Sequence, residues 1–265
     1  MNKFLFWLLP IVLLVTGCAE KGNTFIPLEM EGKNIKSLRV GISPDYPPLA
    51  FKENGALQGA EVEMAKTLAY YLNVKIVFVQ LPWNKLIPGL LNNRVDVVMS
   101  GLSITPERER NVNFIQPYMK VGQMALIRKN EKKQFTDKQD LLNTNLRLGF
   151  LPDTTSASFA ASNFHRAQRI PMKSVEQAVE DLRNSKIDLF IHDAPTIWMI
   201  AGNSTEEQLT GLYWPLTREF LGWAVRPTDI NLQSSLNNAL DKWKANGVLD
   251  RILNSWMKLR IEIES

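Results

Sequence analysis

Cysteine is almost missing from this chain: Cys18 is the single one in 265 residues. No intrachain disulfide can form, so the fold must be held by its core. Histidine is nearly as scarce, with His165 and His192 alone. No Cys/His set has the spacing of a zinc site, and neither a metal nor any other cofactor is expected. No phosphate loop of the G-x-x-x-x-G-K-[ST] type occurs. No apolar run reaches the about 20 residues that a membrane-spanning helix needs. Neither sign of charge dominates: 31 basic residues face 27 acidic ones, for a net charge of +4. The two signs are interspersed, whereas a nucleic-acid binder would gather its basic residues on one face. The densest basic run, Arg128, Lys129, Lys132 and Lys133, is broken by Glu131 and reads as a solvated loop. What is present, 45% hydrophobic and 22% charged residues, makes a globular chain long enough for one large domain or two small ones.

The first residues read as an address. Lys3 gives a positive start, and residues 4–15 are apolar apart from Pro10 and fit the central region of a secretory signal. The run ends Leu14-Val15-Thr16-Gly17-Cys18, which resembles a bacterial lipobox. That resemblance implies a lipoprotein signal peptide over residues 1–17, cleavage before Cys18, and lipid on its thiol. Several acyl chains there would hold the protein stably on a membrane. Residues 18–36 have few periodic apolar positions and read as a tether.

Beyond residue 36, strand and helix patterns alternate. Residues 38–42, 74–79 and 95–99 read as strands; 61–72 and 83–91 have helical spacing. This β-α-β order predicts mostly parallel sheets with helices on their faces. The pattern then echoes itself. Leu38-Arg39-Val40-Gly41 returns as Leu146-Arg147-Leu148-Gly149, and Pro44-Asp45 as Pro152-Asp153. Asn92-Asn93-Arg94-Val95-Asp96 returns as Asn184-Ser185-Lys186-Ile187-Asp188, with Ile87 and Leu90 matched by Val179 and Leu182 at the same offset. Two similar α/β lobes follow. Ligands of such sheets sit outside the carboxyl ends of the strands, so two facing lobes would share one cleft.

The residues after those strands can bind. Thr105-Pro106 is a helix-start signal, which puts Arg108 in a first turn, where the helix dipole disfavours a cation. A guanidinium held there suits a carboxylate through paired hydrogen bonds, with backbone N–H groups nearby; a surface pair with a glutamate is the plainer reading. Asp193 follows an apolar strand, where a lone carboxylate is costly. It either caps the helix beginning Ala194-Pro195 or accepts from a ligand ammonium, and the two roles are compatible. Tyr46 and Trp83 also follow strands, as aromatic walls or as core.

In order, these stretches resemble the bacterial solute-binding proteins of family 3, the amino-acid receptors of ABC importers. The likeness runs from about Leu38 to Trp256. It rests on Leu38-Arg39-Val40-Gly41 with Asp45-Tyr46-Pro47-Pro48, on residues 59–65, on Trp83 with Leu86-Ile87-Pro88, and on Gly101-Leu102-Ser103-Ile104-Thr105-Pro106-Glu107-Arg108 with Phe114 and Pro117-Tyr118. The second lobe adds Leu148-Gly149 with Thr154-Thr155, then Ile187-Asp188 with Asp193. The resemblance implies a two-lobe type II periplasmic-binding-protein fold of class α/β, each lobe a mostly parallel sheet flanked by helices. Residues 37–121 and 221–260 would form lobe 1 and 122–220 lobe 2, joined by strands crossing near 120–126 and 216–222. Helices over 232–244 and 248–258 would return to lobe 1. It implies Arg108 as the clamp of a ligand carboxylate, Ser103 and the Gly101 backbone beside it, Thr154 and Thr155 reaching it on closure, Asp193 as ammonium acceptor, and Tyr46 and Trp83 as walls. The partners implied are an amino acid and a membrane permease, with no catalytic residue, for a monomer on the periplasmic side of the envelope.

Three positions depart from the family pattern. Ser43 stands where receptors for basic amino acids carry aspartate, which argues against a cationic ligand. Ala60 replaces a bulky residue. Asp153 replaces a glycine that lets backbone approach the ligand. Two alternatives share the scaffold. Cyclohexadienyl or arogenate dehydratases have the same Ser-Ile-x-x-Glu-Arg stretch, but their proton-donating glutamate falls at Thr196 here. A sensory receptor domain would bind in the same way. A hydrolase is disfavoured, because Gly101-Leu102-Ser103-Ile104-Thr105 lacks the closing glycine of a nucleophile elbow.

Overall fold

The computed structural model describes residues 36–203 and 206–257, together with a short strand pair at Glu29–Met30 and Lys33–Asn34. Cys18, the signal peptide and most of the tether lie outside the described residues. Among the described residues no helix is long and apolar enough to cross a membrane, and no group of three or more His, Cys, Asp or Glu could hold a metal ion.

Strands of the two large sheets and of the ribbon between them are numbered β1–β12. Lobe 1 is built on β1 (Ser37–Ile42), β2 (Lys75–Gln80), β3 (Val97–Val98), β4 (Asn113–Phe114) and β12 (Ala224–Val225), in the order β2-β1-β3-β12-β4. The first three are parallel, and β12 is antiparallel to β3 and β4. Lobe 2 is built on β6 (Gln123–Arg128), β7 (Arg147–Phe150), β8 (Gln168–Pro171), β9 (Leu189–Asp193) and β10 (Leu209–Leu212), in the order β8-β7-β9-β6-β10. Here too three strands are parallel and β6 is antiparallel to its neighbours. Between the lobes, β5 (Met119–Val121) and β11 (Glu219–Leu221) form an antiparallel ribbon. At Gly122 the two crossings abut so closely that a Cβ would stand 2.1 Å from the Thr217 carbonyl oxygen, which requires glycine.

Helices cover both faces of each sheet, so central strands such as β6 and β9 are buried almost along their whole length. In lobe 2, Met124, Leu126 and Phe190 enter one core cluster and Ala125, Ile127, Leu189 and Ile191 the other, as the two-residue strand period dictates. In lobe 1, α1 (Ala60–Leu72) buries Met64, Ala65, Leu68 and Leu72 and ends on Asn73 in the left-handed conformation. Val97 and Val98 alone pair as strand within the predicted 95–99 segment, although all five residues are buried. The 83–91 segment splits into a 3₁₀ turn, Trp83–Lys85, and α2 (Leu86–Leu91). The chain returns through β11 to lobe 1, where Leu236, Leu240, Trp243, Ile252 and Leu253 of the last two helices join the core around Trp223.

The internal echo has a structural cause. Asp96 immediately precedes β3 and takes the Arg39 backbone N–H and guanidinium Nε on Oδ2, at 2.9 and 3.0 Å, and Nη2 on Oδ1 at 2.6 Å. Asp188 does the same for Arg147, at 2.9, 2.9 and 2.7 Å. A second arginine completes each group. Arg226 reaches Asp96 at 3.3 Å and the Leu90 and Val95 carbonyls; Arg128 reaches Asp188 at 2.9 Å and the Leu182 and Ile187 carbonyls. Burial pushes both carboxyls up, but the arginine hydrogen bonds outweigh it and hold Asp96 below its ordinary value and Asp188 at about 2. Asn93 and Ser185, matched in the echo, both take positive φ in the turns that precede these aspartates.

Candidate functional site

The carboxyl ends of the parallel strands of the two sheets face each other across a cavity of about 290 Å³. From lobe 1 it is lined by Ser43, Asp45 and Tyr46 after β1, by Trp83 and Asn84 after β2, and by Gly101, Ser103 and Arg108 after β3. From lobe 2 it is lined by residues 151–156 after β7, by Met172, Lys173 and Ser174 after β8, and by His192 and Asp193 at the end of β9. All eight ligand-binding candidates taken from the sequence, Tyr46, Trp83, Gly101, Ser103, Arg108, Thr154, Thr155 and Asp193, are in this lining.

Arg108 sits in α3 (Pro106–Glu109), whose N-cap Thr105 accepts from the Arg108 backbone N–H at 3.3 Å. Its Nη1 donates to the Ser103 carbonyl at 2.8 Å, and its guanidinium carbon lies 5.6 Å from the centroid of the Trp83 ring. Among the described residues no carboxylate forms an ion pair with it, so the glutamate-pair reading is not realised. Burial pulls its pKa down, and the negative charges of Asp193 and Glu219 oppose that.

Asp193 is the N-cap residue of the helix Ala194–Ala201, yet its side chain makes no capping bond. Instead Tyr46 Oη donates to Oδ2 across the cleft, and Gln123 Nε2 donates to Oδ1. Its carboxyl is pushed up to about 7, first by burial and then by Glu219, against the lowering effect of Tyr46, Gln123 and Arg108. The backbone N–H of Asp193 donates to His192 Nδ1 at 2.8 Å. Burial lowers the His192 pKa to about 4, which keeps the ring neutral.

Some side chains do other work than the resemblance implies. Gly101 has φ of +68°, and a Cβ there would meet the Tyr46 ring at 2.3 Å, so only glycine fits. Its N–H, however, donates to the buried Glu61 carboxyl rather than into the cavity. Burial pushes that carboxyl up to about 8. Thr154 caps the helix Thr155–Asn163 and spends its own hydroxyl proton within the loop, 2.6 Å from the Leu151 carbonyl and from Ser156 Oγ. Thr155 accepts from Gln123 at 3.0 Å. Asp153, in place of glycine, takes φ of +60°, a conformation that aspartate tolerates better than most residues.

Besides the Tyr46–Asp193 bond, Trp83 Nε1 donates to the Asp153 carbonyl at 2.7 Å and Thr196 Oγ1 to the Pro47 carbonyl at 2.6 Å. All three cross from one lobe to the other, so the cleft is closed. Sequence reasoning missed Gln123 and Glu219. Gln123 opens an apolar strand, and its position directly after the crossing glycine is the signal that the sequence offers for it.

Residues 38–259 match the family described as Bacterial extracellular solute-binding proteins, family 3. The ABC transporter arginine-binding protein 1 of Escherichia coli (strain K12) is 29% identical over 228 residues, which cover 83% of this chain and 90% of the relative. The cyclohexadienyl dehydratase of Pseudomonas aeruginosa is 30% identical over 158 residues, 59% of each chain. Among solved structures, a protein from Wolinella succinogenes DSM 1740, described as a binding component of an ABC transporter and complexed with lysine, superimposes with a TM-score of 0.81 at 32% identity, covering 84% of this chain and 96% of that one.

Proposed function

We propose that this chain, which belongs to the bacterial extracellular solute-binding proteins of family 3, captures one amino acid between its lobes and presents it to the permease of an ABC importer. The observation that carries this reading is the unlike pair on one small cavity: a guanidinium from lobe 1 and a carboxylate from lobe 2. Arg108 takes the ligand carboxylate, with Ser103 and Thr155 beside it. Asp193 takes the ammonium, exchanging part of its bond with Tyr46 for the ligand's N–H groups. Trp83 and Tyr46 flank the side chain. Binding one lobe first and closing the second over it gives a closed state that a permease can distinguish from the open one. The protein acts as a monomer on the periplasmic side, held to a membrane by lipid on Cys18, in keeping with the lipobox at residues 14–18.

The side-chain end of the cavity bears on which amino acid. Ser43 is uncharged, but the Asp45 carboxylate reaches to 3.4 Å from its hydroxyl. Asp45, Asp153 and Lys173 all line the cavity. The counter-charge missing at Ser43 is therefore offered two residues on, and cationic amino acids belong among the candidates beside neutral ones. An Asp45→Asn variant separates them: it weakens a cationic ligand and leaves a neutral one unchanged.

A second reading rests on Asp193, whose carboxyl at about 7 is suited to donating a proton, and on the dehydratase relative. Against it, Thr196 stands where those enzymes carry the donor, and it is fully buried and bonded to Pro47. Incubation with prephenate and arogenate should yield no product.

A thermal-shift screen of the twenty amino acids tests the main reading. At a hundred times Kd, a ligand stabilises the folded state by about 2.7 kcal/mol. At least one amino acid should raise Tm while its des-amino acid does not. A screen in which no amino acid shifts Tm would overturn the proposal.

A further inference from the structure

Gln123 is fully buried, and its side chain ties together three elements around this site. It is the first residue after the Gly122 crossing and opens β6, paired in register with Asp193. Its backbone N–H donates to Thr217 Oγ1 at 2.8 Å on the second crossing, and its carbonyl accepts from the Leu216 N–H at 2.8 Å. Its side-chain Nε2 lies within hydrogen-bond reach of three acceptors from three elements: Asp193 Oδ1, Thr155 Oγ1 at 3.0 Å, and Glu219 Oε1 at 3.0 Å. An amide carries two protons, so the three acceptors share them. Glu219 begins β11, and its Oε1 also accepts from Thr217 Oγ1 at 2.7 Å. Gln123 Oε1 and Glu219 Oε2 are buried without a hydrogen-bond partner among the described residues.

We propose that Gln123 is the positioning residue of the ammonium site: its amide aims the Asp193 carboxylate at the cavity and separates it from Glu219, the acid that the second crossing strand brings into the same cluster. With Asp193 ionised, two carboxylates and one guanidinium leave this cluster one positive charge short, which is the charge an ammonium ligand supplies. The groups facing Asp193 are Tyr46 from the loop after β1, Arg108 from α3, Tyr118 before β5, Gln123 from β6, His192 on its own strand and Glu219 from β11. Of these, Glu219 pushes the Asp193 carboxyl up and Gln123 pulls it down. Both act from the crossing strands, so the hinge adds to what burial, Tyr46 and Arg108 already impose on the binding carboxylate.

This inference deepens the reading of Asp193 as ammonium acceptor and rests on it, but its test needs no ligand, so the two can fail separately. The Asp193 side-chain carboxyl carbon is followed by ¹³C NMR through a pH titration of the ligand-free protein. Wild type should titrate near pH 7. Glu219→Gln, which removes a charge and keeps the shape, should move the midpoint down by about one pH unit or more. Gln123→Met, of similar volume but without the donor, should move it up. Both variants keep the backbone bonds of the crossing, and a urea melt on each checks that they fold. Opposite shifts support the proposal, because loosened packing alone would move both variants the same way. A midpoint that stays put in either variant, or shifts of one sign in both, would overturn it.

Discussion

The two lobes share a base and differ at the rim. At the base, each sheet order places an arginine on the central parallel strand, an aspartate at the start of the next, and a second arginine from the antiparallel strand beyond; the distances agree to within 0.1 Å for the three Arg39–Asp96 and Arg147–Asp188 bonds. At the rim, where strands end rather than begin, the lobes diverge. In lobe 1 the loop after β3 leads to α3, which carries Arg108, and lobe 2 ends β9 in Asp193. The repeated half of the design stabilises each lobe, while the unrepeated half makes one side of the cleft a cation and the other an anion. A ligand with both charges is what such a cleft is complementary to.

The comparison is broken most severely at the base. Asp96→Ala takes away the acceptor that Arg39 and Arg226 share, leaving Arg226 only Asp229 as a charged partner among the described residues, and Asp96 has only 6% of its side chain exposed, with Arg226 at 9%. Loss of a buried partner of this kind costs about 3–5 kcal/mol. Asp188→Ala should cost less, because its side chain is 12% exposed against 6% for Asp96. Urea unfolding reads both; equal losses at the two sites would show that burial does not set the difference. These aspartates also set the acid limit. Their folded pKa values are depressed, so their contribution is present above the ordinary carboxylate range and disappears as pH falls through the folded value, about 2 for Asp188. Wild-type stability should therefore fall between about pH 4 and pH 2, and the Asp188→Ala variant should show a shallower fall in the same titration.

At the rim the effects are smaller and act on binding. Asp193→Asn keeps the shape and removes the negative charge, and should weaken an α-amino ligand by about 2 kcal/mol, roughly thirtyfold. The des-amino acid should lose far less; calorimetry finding equal losses for both would remove the ammonium role. Thr196→Val deletes one bond between the lobes, the one to the Pro47 carbonyl, and should cost about 1 kcal/mol of closure, a fivefold weaker affinity at most.

What could be read in the letters follows the same division. The echo of Arg39 and Asp96 in Arg147 and Asp188 was legible because each lobe builds its base from a local β-α-β unit. Arg226 and Arg128, which complete those bases, were not legible as such, since they come from strands 130 and 60 residues away from the aspartates they serve. The residues around the cavity were found because strand ends are sequence landmarks. Their bonding was not. Thr154 spends its hydroxyl inside its own loop, the Gly101 N–H goes to Glu61, and Asp193 forgoes its helix cap for Tyr46 and Gln123. Each of these choices depends on a partner brought close by the other crossing or the other lobe. Asp153 is the instructive case: it replaces a glycine that lets backbone approach a ligand, and the structure holds a positive φ there with an aspartate in place.

The claim on which the functional account turns is that Arg108 receives the carboxylate of the ligand. Isothermal titration of the amino acid that gives the largest thermal shift, against wild type and Arg108→Ala, measures this directly. The account predicts that affinity falls by about 2–5 kcal/mol, at least thirtyfold, with the fold and Tm of the unliganded variant retained. An Arg108→Ala protein that binds the same amino acid with wild-type affinity would contradict it.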